Sequence, residues 1–427
     1  MAEASQQTDI RREFQRIRSC TEQITEGLSA EDMVVQSMPD ASPTKWHLAH
    51  TSWFFEEFLL SRFIPQYQAF DSQFRFLFNS YYEAVGQRHQ RPLRGMLTRP
   101  ALDTVLAYRN HVTGHLTQAL ETGLAEDPQF LALVELGCHH EMQHQELLLT
   151  DILSVLSVHP FHPAMKVSAQ KNLAGVNQIV STGSASRWQH FEAQTIHVGA
   201  DPDHFHYDCE SPRHPHLLPA FALATHPVTN GQWLEFMADG GYDKATLWLS
   251  DGWAMCQQQQ WHAPLYWQCI DGLWFQFGLD GIQPVDPDAP VCHISYFEAD
   301  AYASWAGARL AREQEWERAA QSHPPRGNFL ERYQWRPRAG PTSSADTVQQ
   351  MYGDVWEWTQ SPYTAYPGFK IAEGAIGEYN GKFMCGQFVL RGGSCVTPVK
   401  QIRPSYRNFF YPHQRWQFSG MRLAKDV

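Results

Sequence analysis

Residues 128–156 read PQFLALVELGCHHEMQHQELLLTDILSVL, the longest stretch in which apolar residues recur at helical spacing. Two X-Pro bonds follow it, at His159-Pro160 and His162-Pro163, and the residue before a proline disfavours the helical conformation. The sequence therefore predicts a long helix that ends before residue 159. The same periodicity predicts three further helices, at Asp9–Glu26, Trp46–Phe63 and Asp103–Leu120.

Four helices with apolar stripes within residues 1–165 predict a helical bundle. Residues 166–186 are mostly small and polar, which is typical of a linker. In residues 187–427, short apolar runs alternate with turn-forming residues, and only Ser295–Trp305 and Ala311–Ala320 are clearly helical. The expected fold class is a mixed two-domain chain, α followed by α/β: a four-helix bundle and then a loop-rich α+β domain.

The composition supports two folded domains and argues against several partner classes. The chain has 427 residues, of which 43% are hydrophobic, so it can form more than one core. Its formal net charge of −12 disfavours a nucleic acid partner. We found neither a membrane-length apolar stretch nor the apolar core of a signal peptide, so we expect a cytoplasmic protein with no membrane partner. The oligomeric state stays open.

Histidines are numerous, 21 in the chain, and the sharpest cluster is GCHHEMQHQE in the longest predicted helix. His140 and His144 are four residues apart, so about 40° separates them around the helix and both can reach one ion. The sequence WHLAH offers a third imidazole, and we favour His50 over His47 because it lies deeper in an aromatic stretch. Three neutral imidazoles leave open coordination positions, which is typical of a catalytic metal site. Glu146 is a candidate partner for an imidazole N–H.

Two other interpretations of these histidines stay open. His140-Glu141-x-x-His144 formally matches H-E-x-x-H, the zinc metallohydrolase motif, in which Glu141 would act as the general base. Against it, the candidate third ligand lies upstream and no G-x-x-H extension follows the motif. The histidines could also be packed residues without a ligand, as an isolated pair four residues apart often is.

Several longer motifs together resemble a known family. They are WHLAH at 46–50, FNSYYEAVG at 78–86, H-x-x-x-H-x-E at 140–146, GDVWEW at 353–358, LRGGS at 390–394 and GMRLA at 420–424. From about Leu28 to Leu423 the chain resembles the iron-dependent sulfoxide synthases of ergothioneine biosynthesis, also called hercynine oxygenases. Tyr81-Tyr82 and the segment Tyr406–Phe418 are similar to the subclass that takes free cysteine as the thiol donor.

The resemblance implies a DinB-like bundle followed by a domain similar to formylglycine-generating enzymes and, distantly, to C-type lectins. It implies Fe(II) as the cofactor, held by His50, His140 and His144. The substrates would be hercynine (trimethylhistidine), cysteine and O₂, with the cysteine sulfur joined to the imidazole carbon and oxidised to a sulfoxide. Synthases of selenoneine or ovothiol type stay as alternatives, although an ovothiol synthase usually carries an additional methyltransferase domain after this pair.

The second domain alone would suggest two other functions. Formylglycine generation needs two nearby cysteines close to the C-terminus, and no cysteine follows Cys395, so we consider that chemistry disfavoured. The eight cysteines are scattered without a C-x-x-C pair, which indicates reduced, mostly buried thiols. A lectin-like domain can also be a non-catalytic binding module.

The proposed chemistry assigns roles to a long, Tyr- and Arg-rich loop at residues 78–100. Tyr81 and Tyr82 are the candidate catalytic residues, because O₂ reduction needs a nearby proton or electron source. We favour Tyr81, since neighbours in an extended loop point opposite ways. Arg88 and Arg91 are candidates for a bidentate clamp on the cysteine carboxylate.

Other candidate substrate-binding residues lie near the metal motif and near the end of the chain. Gln143 could hydrogen-bond a metal-bound water or a substrate. Arg407 or Arg415 could complete the carboxylate clamp. Aromatic faces for the trimethylammonium group and donors for the hercynine carboxylate are expected from Asn408, Phe409, Phe410, Trp416 and Phe418.

Overall fold

The computed structural model describes residues 2–165, 187–341, 346–373 and 375–427. The chain divides into two compact units, residues 1–165 and 166–427. The predicted linker, residues 166–186, lies outside the described residues. No helix in the described ranges combines the length and the apolar character that a membrane span requires.

The first unit is built from helices. These are α1 (Ala2–Gln23), α2 (Thr44–Phe55), α3 (Ser61–Phe63), α4 (Phe74–Leu77), α5 (Leu102–Ala119) and α6 (Pro128–Ser157). A π-helical turn, Glu56–Leu60, joins α2 to α3, and short 3-10 helices occur at Arg91–Met96 and Gly123–Glu126. The predicted bundle is confirmed, and its four long helices correspond to α1, to α2 with its continuation through α3, to α5 and to α6.

Helix α6 begins where its sequence provides a cap. The Asp127 side chain accepts hydrogen bonds from the backbone N–H groups of Gln129 at 2.8 Å and Phe130 at 3.2 Å. Pro128 occupies the first helical position, where its missing N–H costs nothing. From there α6 packs against α1 and α2, and α2 packs against α5. The two helices that carry the histidine motifs are therefore neighbours.

A buried ion cluster joins three helices of this unit. Glu141 on α6 accepts hydrogen bonds from Arg18 Nη1 at 2.8 Å, Thr21 Oγ1 at 2.7 Å and Arg109 Nη2 at 3.0 Å. Both arginines and Glu141 are buried. Burial alone raises the pKa of Glu141, but the two guanidiniums outweigh burial and lower that pKa to about 2. The carboxylate is therefore ionised and binds α6 to α1 and α5.

The second unit contains thirteen short strands among its described residues. They are β1 (Trp188–Phe191), β2 (Gln194–Val198), β3 (His214–Leu218), β4 (Phe221–Ala224), β5 (Trp267–Ile270), β6 (Leu273–Gly278), β7 (Gly281–Pro284), β8 (Arg309–Leu310), β9 (Trp356–Pro362), β10 (Phe388–Arg391), β11 (Asn408–Phe410), β12 (Ser419–Met421) and β13 (Leu423–Asp426). They form sheets in the orders β1-β4-β13-β8, β11-β10-β9-β12, β5-β6-β7 and β2-β3. Only β9 and β12 pair in parallel among the described strands, and β10 pairs with β11 so that Val389 lies opposite Phe409. This is the predicted loop-rich α+β domain.

Four α-helices accompany these strands in the part of this unit that the structure describes. They are α7 (Asn230–Ala238), α8 (Ser250–Gln258), α9 (Tyr296–Trp305) and α10 (Glu313–Ala320). The sequence predicted only α9 and α10, because glycines in the first turns of the other two weaken their helical signal. In α7 a capping box compensates: the Thr229 side chain accepts from the Gln232 N–H, and Gln232 Oε1 accepts from the Thr229 N–H.

Buried ion pairs also organise the second unit. Arg391 on β10 and Arg407, just before β11, both donate to the Glu313 carboxylate at 2.9 Å. Arg391 reaches Glu317 as well, with Nη2 to Oε2 at 3.1 Å. Because an unpaired buried charge is costly, these pairs fix the position of β11 against α10.

We predict that Glu141→Gln strongly destabilises the chain, because it leaves two buried guanidiniums without their carboxylate. The expected loss is about 3–5 kcal/mol in free energy of unfolding, measured by urea denaturation. Glu13→Gln is the matched control: Glu13 forms an i,i+3 pair with the exposed Arg16, and its loss should cost about 0–1 kcal/mol. Equal stability of the two variants would contradict the prediction.

Acid sensitivity gives a second readout for the same substitution. The folded pKa of Glu141, about 2, lies below its ordinary value of 4.5, so its contribution to stability is fully present above pH 4.5. That contribution is lost as the pH falls from 4.5 towards 2. The Gln variant should therefore lose less stability than the parent chain over this interval.

Candidate metal centre

Three imidazoles from two packed helices meet in the first unit. Helix α2 carries His50, and α6 carries His140 and His144 one turn apart. One ligand-capable atom of each lies within 4.8 Å of the other two, and His50 Nε2 is 3.2 Å from His140 Nε2. His50 and His140 are buried, whereas His144 is half-buried. The structure thus brings together the three histidines that the sequence analysis selected.

Hydrogen bonds hold the Nδ1 atoms of two of these histidines, His50 and His144. His50 Nδ1 is 2.6 Å from the backbone oxygen of Phe78, which can only accept, so the proton of His50 is on Nδ1. The Nε2 atom of His50 is left with a lone pair for a metal. His144 Nδ1 is 2.9 Å from His47 Nδ1, and His47 Nε2 is 3.0 Å from Asp151 Oδ2.

The sequence analysis considered His47 only as a less favoured metal ligand, did not select Asp151, and named Glu146 as the partner of an imidazole. The structure gives that role to His47 for His144. A signal was available in the spacing: His47 precedes His50 by three residues, and Asp151 follows His144 by seven. The first spacing places His47 and His50 on one face of their helix. The second places His144 and Asp151 at nearly the same angle around theirs.

Burial keeps the three imidazoles neutral. Desolvation lowers the pKa of His140 to about 3 and holds the pKa values of His50 and His144 well below their ordinary value. Trp46 stacks on His50 with 4.5 Å between ring centroids, and Phe54 stacks on His140 at 4.3 Å. Neutral imidazole is the form that binds a divalent cation, so this donor set fits Fe(II) and other first-row metals.

The structure argues against the zinc metallohydrolase interpretation, which required Glu141 as a general base. Both oxygens of Glu141 accept hydrogen bonds from the buried cluster, one of them from Arg18 and the other from Arg109. A carboxylate with a pKa of about 2 that is fully enclosed cannot take a proton from a metal-bound water near neutral pH. The role of Glu141 is to stabilise the bundle.

The paired tyrosines lie beside the aromatic wall of the histidine cluster. Tyr82 is fully buried, with its ring centroid 5.6 Å from that of Trp53 and 5.2 Å from that of Phe58. Trp53 in turn stacks on His50 at 5.4 Å. Tyr81 is half-buried and its ring lies 4.7 Å from that of Tyr82. One aromatic layer therefore separates Tyr82 from an imidazole.

Two predicted carboxylate-binding arginines are exposed in the loop that follows these tyrosines. Arg88 pairs with Glu83, with Nη1 to Oε1 at 2.6 Å, and Arg91 donates to the backbone oxygen of Asp40. Both guanidiniums are accessible to a ligand. Gln143, the predicted polar neighbour of the metal ligands, is half-buried on α6.

A third arginine of this loop was not selected from the sequence and lies closer to the imidazoles. Arg94 is buried, and its guanidinium carbon is 3.4 Å from the centroid of the Trp46 ring that stacks on His50. Its Nη1 donates to Ser42 Oγ at 2.8 Å. The three-residue spacing from Arg88 to Arg91 to Arg94 was the signal that could have indicated it.

Within the second unit, the candidate hercynine-binding residues form aromatic contacts with one another and with the core. Asn408, Phe409 and Phe410 are half-buried on β11, and Phe410 contacts Trp416 edge-on with 5.8 Å between centroids. Phe418 is buried. The partly accessible face of β11 is therefore better suited to a ligand than Phe418 is.

The two alternative clamp arginines of the second unit differ in availability. Arg407 is buried in its pair with Glu313, which leaves almost none of its guanidinium accessible to a substrate carboxylate. Arg415 is partly exposed, donates from Nη1 to Glu298 at 2.8 Å and lies 4.3 Å over the Trp261 ring. Of the two, only Arg415 keeps part of its guanidinium accessible.

Comparison with known proteins supports this architecture. Residues 13–148 match the DinB superfamily, and residues 188–350 and 337–427 match the sulfatase-modifying factor enzyme 1-like domain. A formylglycine-generating enzyme of Mycobacterium tuberculosis is 28% identical over 230 residues, which are 49% of this chain and 70% of that protein. The predicted types of both domains are thereby confirmed.

Two relatives resemble the chain more strongly. The hercynine oxygenase of Mycobacterium tuberculosis is 40% identical over 242 residues, 52% of this chain and 56% of that protein, so this match spans little more than half of the relative. The hercynine oxygenase of Mycolicibacterium smegmatis is 33% identical over 422 residues, 92% of this chain and 93% of that protein. Similarity over nearly the full length of both chains shows that this protein belongs to the hercynine oxygenase family.

Proposed function

We propose that the protein is a non-heme Fe(II)- and O₂-dependent sulfoxide synthase of ergothioneine biosynthesis, with hercynine and cysteine as substrates. The family membership supports the oxygenase class and hercynine as a substrate. The observation that carries the metal dependence is the convergence of three neutral imidazoles, with His50 Nε2 3.2 Å from His140 Nε2. A face of three neutral nitrogens leaves coordination positions for substrates, as in non-heme iron oxygenases.

The reaction is balanced without a further reductant. Cysteine loses its thiol hydrogen and hercynine loses the hydrogen of an imidazole carbon, and the C–S bond forms between these atoms. One oxygen atom of O₂ becomes the sulfoxide oxygen and the other leaves as water, so the substrates supply all four electrons. Fe(II) supplies the one-electron chemistry that makes O₂ reactive towards a thiol.

The chain's own residues bind, orient and exclude water. His50, His140 and His144 hold the metal, and the Trp46 and Phe54 rings pack against two of these imidazoles. The exposed arginines Arg88 and Arg91 bind the cysteine carboxylate by charge-assisted hydrogen bonds. In the second unit, the half-buried aromatic side chains of β11, with Trp416, offer cation–π contacts for a trimethylammonium group. The phenol of Tyr81 or Tyr82 supplies a proton or an electron for the reduction of O₂.

The direct test is anaerobic reconstitution with Fe(II), followed by O₂ uptake and product analysis. Hercynine is offered with cysteine, with γ-glutamylcysteine or with a selenosugar in parallel reactions. We expect a sulfoxide conjugate with cysteine at the highest kcat/KM. Preference for γ-glutamylcysteine would reject free cysteine as the donor, preference for the selenosugar would indicate selenoneine synthesis, and no O₂ uptake with any donor would reject the function.

We predict that His50→Ala, His140→Ala and His144→Ala each lose the metal ion and turnover, because two imidazoles hold Fe(II) weakly. Iron content after gel filtration and O₂ uptake are the measurements. His115→Ala, which removes a half-buried histidine of α5, is the control and should keep both. Full iron occupancy in His50→Ala would reject this ligand set.

The arginine prediction separates the two substrates. Arg88→Ala or Arg91→Ala should raise the KM for cysteine far more than that for hercynine, by the equivalent of ~1.5–3 kcal/mol if a charged hydrogen bond is lost. Arg75→Ala is the control, since Arg75 is exposed and pairs with Glu57 in the same unit. Equal changes in both KM values would contradict a carboxylate clamp.

The tyrosine prediction concerns how the products divide. Phe at the active position keeps metal and substrate binding, because only a hydroxyl is lost. The reaction should then yield more cysteine sulfinic acid and less sulfoxide conjugate, measured as a product ratio for Tyr81→Phe, Tyr82→Phe and the double variant. We expect Tyr81→Phe to change the ratio most. If all three variants keep the parent ratio and rate, neither hydroxyl takes part.

A further inference from the structure

A chain of two hydrogen bonds lies directly behind His144. Asp151 is on α6, seven residues or nearly two turns after His144, and therefore on the same helix face. His47 of α2 lies between them, with its Nε2 3.0 Å from Asp151 Oδ2 and its Nδ1 2.9 Å from His144 Nδ1. His47 and Asp151 are each 3% exposed, so water does not compete for the contact between them.

With a neutral His47, the chemistry of the end group fixes every proton in this chain. A carboxylate only accepts hydrogen bonds, so His47 must carry its proton on Nε2 to donate to Asp151. The Nδ1 atom of His47 then holds a lone pair and accepts from His144, whose proton must be on Nδ1. His144 Nε2 is left unprotonated, which is the form that binds a metal.

We infer that His47 and Asp151 are positioning residues that select the metal-binding tautomer of His144 and fix the orientation of its ring. This inference rests on the proposed metal site of His50, His140 and His144. The two residues act on the metal only through His144, and they do not themselves bind it. Such outer partners of a ligating histidine also increase its basicity.

The carboxylate is itself held in place from the other side. Asp151 Oδ2 accepts a second hydrogen bond, from the backbone N–H of Ser42, at 2.7 Å. The Ser42 hydroxyl accepts in turn from Arg94 Nη1 at 2.8 Å. The segment before α2 therefore fixes Asp151 in the orientation that His47 requires, and the arrangement is more constrained than a simple link between helices needs.

His50 and His144 differ in how their protons are placed. For His50 a backbone oxygen, that of Phe78, accepts from Nδ1, and no side-chain substitution removes it. For His144 the acceptor is the side chain of His47. The inference can therefore be tested by substitution at His144's partners, with His50 as an unchanged ligand of the same site.

The test compares the metal affinity of three variants, His47→Phe, Asp151→Ala and the double variant, with that of the parent chain. Affinity is measured for Fe(II) and for Co(II), which serves as a spectroscopic probe. We expect affinity 10- to 100-fold lower than in the parent chain for His47→Phe. The double variant should bind no more weakly than His47→Phe, because Asp151 acts through His47. His47→Asn should recover part of the affinity, since its amide oxygen can accept from His144 Nδ1.

Ser154→Ala is the matched control, because it removes a part-buried hydrogen bond of α6, to Ser37 Oγ at 2.8 Å, outside this chain of contacts. It should bind Co(II) with the parent affinity and the parent visible spectrum. Parent-like affinity in His47→Phe would overturn the inference. An equal loss of affinity in Ser154→Ala would also overturn it, because a general packing defect would then explain the result.

A second measurement needs no metal. The ¹⁵N shifts of selectively labelled histidine side chains in the metal-free chain should show His144 protonated on Nδ1 and His47 on Nε2. In His47→Phe the His144 signal should move towards a tautomer mixture. The opposite tautomers in the parent chain would overturn the inference. If the parent chain shows the expected tautomers but binds no divalent metal, only the proposed function is rejected.

Discussion

The rotation of helix α6 is the constraint on which the site depends, and the Glu141 ion cluster sets it. Glu141 and Gln145 form one stripe of α6, and both hydrogen-bond to α1. His140 and His144 form the adjacent stripe, about 60–100° away from Glu141 around the axis. Because a buried carboxylate cannot leave its two guanidiniums without a large cost, the imidazole stripe is held towards α2.

Burial has opposite consequences for these neighbouring stripes. Glu141 stays charged because two cations enclose it, whereas the imidazoles stay neutral because they are enclosed by rings such as Trp46 and Phe54. A single helix thus presents an ionised structural group and neutral candidate metal ligands within one turn. The difference comes from the helices that pack on each stripe and not from the residue types of α6 alone.

The sequence was sufficient where a signal is local and insufficient where it depends on packing. Periodicity predicted the long helices, and the four-residue spacing of His140 and His144 predicted that they share a face. The sequence also selected His50 from WHLAH, and His50 does lie beside these two histidines. The contact of His47 with Asp151 joins two helices, so it is visible only once the helices pack. The sequence could not show that Arg407 is buried against Glu313, because that burial depends on the sheet that places β11 beside α10.

The hydrogen bond between His50 and the backbone of Phe78 links two parts of the first unit that have different tasks. Phe78 lies three residues before Tyr81, at the start of the Tyr- and Arg-rich loop. The donor strength of an imidazole towards a metal depends on the hydrogen bond at its other nitrogen. A displacement of this loop backbone would therefore alter the hydrogen bond that orients the His50 imidazole, so the loop and the candidate metal centre share one mechanical connection.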